Sequence, residues 1–276
     1  MSDASLAGRT IIMSGGSRGI GLAIATRAAR GGANVAIIAK TDEPDPRLPG
    51  TIHTAAAEIE AAGGKALPIL GDIRDDETVA AAVQKTVDTF GGIDVVVNNA
   101  SAIALMNVGA LPAKRYDLML DINTRGTFTL TSLALPHLAK SGNPHVLTLS
   151  PPLNMDRRWL RDHAPYTVSK YGMSMITLGV AESQRDAGIA ANCLWPRTLI
   201  ATAAIQNVVG GDEGMAGSRT PEIVADAAYE ILIRPSRECT GNTFIDEDVL
   251  REAGVDDFAQ YAFGNPDAPL IEDIFL

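Results

Sequence analysis

Short runs of β-branched and aliphatic residues alternate with longer stretches whose apolar positions recur every three or four residues. The short runs predict strands at 10–14, 34–39, 65–70, 94–98, 145–149, 189–194 and 242–245. The periodic stretches predict helices at 20–30, 51–62, 76–90, 113–121, 126–139, 166–184 and 221–233. Val79, Val83 and Val87 form one apolar stripe of the third helix. Three prolines at 41–50 predict a loop, and a glycine-rich stretch at 208–217 breaks the pattern. Strands alternating with helices imply α/β architecture: a doubly wound parallel sheet with helices on both faces, three layers deep. No linker or repeat divides the chain, so 1–276 reads as one domain. It would carry a substrate lid at 200–220, the alternative being a plain connection, and a C-terminal extension at 247–276.

Polar residues gather just beyond the predicted strand ends. Ser14, Gly15, Gly16, Ser17, Arg18, Gly19, Ile20 and Gly21 follow the first strand, Lys40 the second, Asp72 and Ile73 the third, Asn98, Asn99 and Ser101 the fourth, and Ser150 the fifth. Ligands of such sheets bind there. The glycines permit positive φ and bring backbone amides close to a pyrophosphate at a helix N-terminus, as in a Rossmann-type nucleotide site. A tight strand–helix turn is the plainer alternative. An acidic residue at the end of strand two would hold a ribose 2′-hydroxyl. Ala39 and Lys40 stand there instead, and Arg18 lies in the turn. Two cations and no carboxylate favour the 2′-phosphate of NADP over NAD.

Composition narrows the partners. A net charge of −10 argues against nucleic acid and anionic membranes. Two cysteines, Cys193 and Cys239, show no metal-type spacing and no disulfide framework, which suits a reducing compartment. The first residues lack a signal pattern and no apolar run reaches a membrane span, so the cytoplasm is expected.

Tyr166 and Lys170 are four residues apart and share one face of a predicted helix. A cation beside a phenol favours the phenolate and draws its pKa toward neutrality. The ordered set of Gly15/Gly19/Gly21, Asp72-Ile73, Asn98-Asn99-Ala100, Asn123, Tyr166-x-x-x-Lys170, Trp195-Pro196 and Thr240-Gly241-Asn242 resembles the short-chain dehydrogenase/reductase family over nearly the whole chain. The resemblance implies Tyr166 as proton donor and acceptor, Lys170 as holder of the nicotinamide ribose, and Asn123 as anchor of a proton-supplying water. It also implies that Asp72 touches the adenine and that Asn99 lines the ribose. A small alcohol or carbonyl substrate, lipid-like by the nearer relatives, and a homodimer or homotetramer follow from the same resemblance.

The departures matter as well. The family's substrate-binding serine would be Ser150, but it stands sixteen residues before the tyrosine and is followed by Pro151 and Pro152. Ser150, Asn154 or a backbone amide is left to meet the substrate oxygen. Ser101 and Arg197 stand where the family usually has glycine. A rival reading is a nucleotide-binding scaffold or redox sensor with little turnover. The Asn123, Tyr166 and Lys170 trio argues for the enzyme.

Overall fold

The computed structural model describes residues 5–45, 50–265 and 267–276. Its seven strands are β1 (Thr10–Ser14), β2 (Asn34–Ala39), β3 (Lys65–Leu70), β4 (Val95–Asn98), β5 (His145–Leu149), β6 (Ala190–Trp195) and β7 (Thr243–Ile245). They form one parallel sheet in the order β3-β2-β1-β4-β5-β6-β7. Pro68 falls on β3, an edge strand, where a missing N–H costs least.

Alternation across the pleat sends neighbouring side chains to opposite layers. Ile11, Met13, Val35 and Ile37 face α1 (Gly19–Arg30), α2 (Ile52–Ala61) and α8 (Glu222–Leu232). Ile12, Ala36, Ile38 and Val96 face α3 (Asp76–Phe90) and α5 (Gly126–Leu138). Strands buried on both faces explain the nearly unbroken apolar runs. Asp75 caps α3 by accepting from Glu77 N and Thr78 N at 3.0 Å each. Thr51 caps α2 with a reciprocal box through Thr54.

Several boundaries depart from expectation. The two central helices join: α4 (Ala113–Met119) runs into α5 through a π-helical turn, Leu120–Arg125. The helix α6 starts well before Tyr166, spanning Arg157–Ser183, with a kink at His163 (φ −141°, ψ 24°). Pro165 explains it, because a proline cannot donate to the preceding turn and disfavours helical backbone before it. The 200–220 segment contains a π-helical turn, Ile205–Val209, and α7 (Gly211–Ala216). The extension after β7 opens with α9 (Asp246–Glu252). Of the loop expected at 41–50, residues 46–49 lie outside the described residues.

The strand order reverses between β1 and β4, and the crevice above that point is closed by polar lashing. Ser14 Oγ accepts from Asn99 N at 3.2 Å and Ala100 N at 3.1 Å. Deeper in, Asn98 Nδ2 donates to Thr131 Oγ1 at 2.9 Å, and Thr177 Oγ1 to Thr148 Oγ1 at 2.7 Å. The edge of the sheet beneath the site is thereby tied to α5 and α6.

Candidate active site

A cavity of ≈ 1240 Å³ runs along the carboxyl ends of the strands. Tyr166 and Lys170, one helical turn apart on α6, enter it side by side, and both are nearly fully buried. Lys170 Nζ donates to Leu149 O at 2.6 Å and lies 5.0 Å from the centre of the Trp195 ring. Burial pushes its ammonium down to about 7, against the opposing pull of the Asp273 carboxylate. Tyr166 moves the other way. Desolvation raises its phenol well above the ordinary value, Asp273 adds to that, and a hydrogen bond with the Ser101 side chain opposes it. This direction is the reverse of the sequence expectation, because removal from water dominates and the Asp273 charge adds to it.

Asn123 sits in the π-helical turn, completely buried. Such turns are often found at functional positions, since the wide backbone re-aims one side chain. The Asn123 Oδ1 accepts from Ala102 N at 2.7 Å, while Nδ2 donates to Ala102 O and Ser169 Oγ at 3.0 Å each. It therefore clamps the loop after β4 to α6. Its side chain is spent on that clamp and does not line the cavity.

Ser150 is not brought to the cavity. It is wholly buried, its hydroxyl interacts with the Cys193 thiol on β6, and no N or O partner pairs with it among the described residues. Asn154 is committed elsewhere, Nδ2 to Phe275 O at 3.0 Å and Oδ1 to Asp156 N at 3.0 Å. Arg197 also turns away, pairing with Asp248 at 2.7 Å.

At the other end of the cavity stand Gly15, Ser17, Arg18, Gly19, Ile20, Lys40, Asp72, Ile73 and Asn99. Gly16 and Gly21 do not line it. A Cβ on Gly16 would lie 2.5 Å from Ile37 Cγ2, and one on Gly21 2.3 Å from Gly15 O, so both serve close backbone packing. Gly15 has φ +72° and holds Asn99 Nδ2 at its carbonyl, 2.8 Å away. No side chain caps α1 at Arg18, which leaves its first-turn N–H groups aimed at the cavity. The buried Arg18 Nε lacks a hydrogen-bond partner among the described residues. Free amides and an unmatched guanidinium donor fit the phosphates of a dinucleotide. Lys40 lies 3.2 Å from Asp72, whose carboxyl Arg74 holds far below the usual range.

One wall escaped the sequence reading. Residues 271–276 pass back across the site as a strap. Ile271 N donates to Gly217 O at 2.9 Å, Asp273 N to Arg197 O at 3.0 Å, and Trp195 Nε1 to Ile274 O at 2.9 Å. Phe275 is fully buried among Tyr166, Tyr171, Trp195 and Trp159, with ring centres 5.2–6.0 Å away. Asp273 and Ile274 face the cavity. Burial pushes the Asp273 carboxyl up to about 7. The local sequence carried no periodicity to announce this, since every partner is distant in the chain.

Residues 9–211 match the family described as short chain dehydrogenase. The chain belongs to the short-chain dehydrogenase/reductase family. It carries the pyridine-nucleotide-dependent oxidoreductase fold of that family. It is 54% identical over 271 residues to hydroxysteroid dehydrogenase-like protein 2 of Xenopus tropicalis, covering 98% of this chain and 64% of that protein. The chain thus spans less than two thirds of that relative's length. A short chain dehydrogenase from Mycobacterium thermoresistibile superposes with a TM-score of 0.93 at 58% identity, covering 99% and 96% of the two chains. An NADH-dependent reductase, A1-R', complexed with NAD matches with a TM-score of 0.70 at 25% identity over 87% and 95%. Among the described residues, no helix is long and apolar enough to cross a membrane.

Proposed function

We propose that this short-chain dehydrogenase/reductase interconverts a carbonyl and a secondary alcohol with NADP(H), Tyr166 carrying the proton. The observation that carries the reading is that Tyr166 and Lys170 open into the same cavity as the glycine turn at its far end. The bound nicotinamide would supply or accept hydride at the reacting carbon. Everything else falls to the chain. Tyr166 delivers a proton to the carbonyl oxygen, and its raised pKa keeps the phenol protonated at neutral pH, which suits reduction. Lys170 would hold the nicotinamide ribose, with Asn123 keeping the β4 loop in register with α6. Gly15, Ser17, Arg18, Gly19 and Ile20 would cradle the pyrophosphate, and Asp72, Ile73 and Asn99 the adenosine. Arg18 and Lys40 support NADP over NAD.

The apolar residues of the wall, among them Ile103, Leu105, Trp195, Leu199 and Ile274, suit a lipid-like substrate. The 200–220 segment lines the same cavity and would act as its lid. Changing Tyr166 to Phe should lower turnover by about 10²-fold or more while NADPH affinity stays within about twofold. Turnover at the wild-type rate in that variant would remove the phenol from the mechanism. NADPH consumption across ketones, steroids and acyl thioesters would identify the substrate; silence with tight cofactor binding would favour a scaffold.

A further inference from the structure

A carbonyl oxygen that gains negative charge during reduction needs a second donor beside the one that protonates it. Three polar side chains are candidates for that place: Ser150, Asn154 and Ser101. Ser150 is shut out of the cavity against Cys193, and the Asn154 amide is bound at both ends. Ser101 differs on each count. It is exposed, it lines the cavity with Tyr166, and its hydroxyl interacts with the phenol.

The backbone carrying Ser101 is held on both sides. Upstream, Asn99 N and Ala100 N donate to Ser14 Oγ at 3.2 and 3.1 Å. Downstream, Asn123 grips both the N–H and the carbonyl of Ala102 at 2.7 and 3.0 Å. A hydroxyl on a segment pinned at both neighbours loses little freedom when it meets a substrate, which is the condition for an effective fixed donor.

We propose that Ser101 is a catalytic residue, its hydroxyl presented from the β4 loop to the substrate oxygen beside Tyr166. The role rests on the reading of Tyr166 as the proton donor. In the reductive direction, hydride reaches the carbonyl carbon, the C=O π pair moves onto oxygen, and the Tyr166 proton passes to that oxygen. Ser101 donates a hydrogen bond to the same oxygen and keeps its own proton. A glycine here would offer no donor, so the serine links substrate binding to the cofactor loop.

The test compares S101A, S101T, S150A and Y166F in the reduction of 9,10-phenanthrenequinone, with cofactor dissociation constants read by fluorescence. S101A should lower kcat by about 10²-fold, more than S150A does, with cofactor affinity unchanged within about twofold. S101T, which keeps the hydroxyl, should recover most of the loss. A wild-type kcat in S101A, or a greater loss in S150A, overturns the assignment. Full activity in Y166F would instead overturn the reading beneath it. A second measurement needs no turnover: crystals of the NADP⁺ complex soaked in 2-propanol. The alcohol oxygen should lie within hydrogen-bonding distance of Ser101 Oγ and the Tyr166 phenol; an oxygen bound away from Ser101 overturns the proposal.

Discussion

Asp273 places a carboxyl in the cavity wall, where Lys170 is the opposing charge and Asp246 a like one. Its folded pKa is pushed up to about 7 from the free value of 3.8, so the folded state favours its protonated form. The stability it contributes is fully present below about pH 4 and is lost as pH climbs to about 7. Asp273→Asn removes that dependence. Urea unfolding should show the variant gaining on the wild type from pH 4 to 7 and remaining ahead at pH 8; parallel curves would remove Asp273 as the cause. Lys170 acts in the next window and with the opposite sign. Its folded pKa lies below the free value, so its contribution grows between about pH 7 and 10.5. Cofactor choice is argued at the same scale. Lys40→Ala should weaken NADPH by about 10- to 100-fold while changing NADH little, since a charge-assisted hydrogen bond is worth about 1.5–3 kcal/mol. Equal losses for both nucleotides would mean that Lys40 serves Asp72 alone.

The strap at 271–276 and the π-helical turn are the elements that shape the site. Phe275 holds φ +77°, an uncommon backbone for a non-glycine residue, and it does so while fully buried among four aromatic rings. Surrounding contacts must over-determine that conformation. Phe275→Ala should cost about 3–5 kcal/mol in chemical denaturation, the range for emptying an aromatic core site. A loss under 1 kcal/mol would show the strap to be loosely seated. None of this was legible beforehand: Trp195 and Ile274 meet across 79 residues, and local periodicity cannot report such a pairing. The strands were legible for the opposite reason. The β3 and β5 boundaries agree with the expected ones because their apolar runs end at Gly71 and Ser150. The start of α6 was missed because its first turns, with Arg157, Arg158, Arg161 and Asp162, carry no apolar stripe. Asn123 was read as a site residue, yet the π-helical turn that aims it depends on packing against Ala102 and Ser169.

Across the whole molecule, the crevice at the β1/β4 reversal joins the glycine turn after β1 to Tyr166 and Lys170 along one cavity. That arrangement was readable, because strand–helix alternation and polar residues at strand ends together imply it. The neighbours of Ser150 were not, since the distance from a strand end to a cavity surface is set by the packing of other elements. At Gly15 the turn after β1 packs closely on the loop after β4. A Cβ there would lie 2.9 Å from Ala100 Cα, and the φ of +72° would strain any other L-residue. Gly15→Ala should therefore abolish most of the thermal stabilisation that saturating NADPH confers on the wild type. An undiminished shift would place the nucleotide elsewhere. The aromatic setting of Phe275 has one more consequence, an optical one. The chain has two tryptophans, Trp159 and Trp195, and both pack against that ring. Tryptophan emission of the protein thus originates beside one wall of the cavity. A fluorimeter that excites tryptophan selectively can follow the cavity's occupation without a label and before any substrate is known.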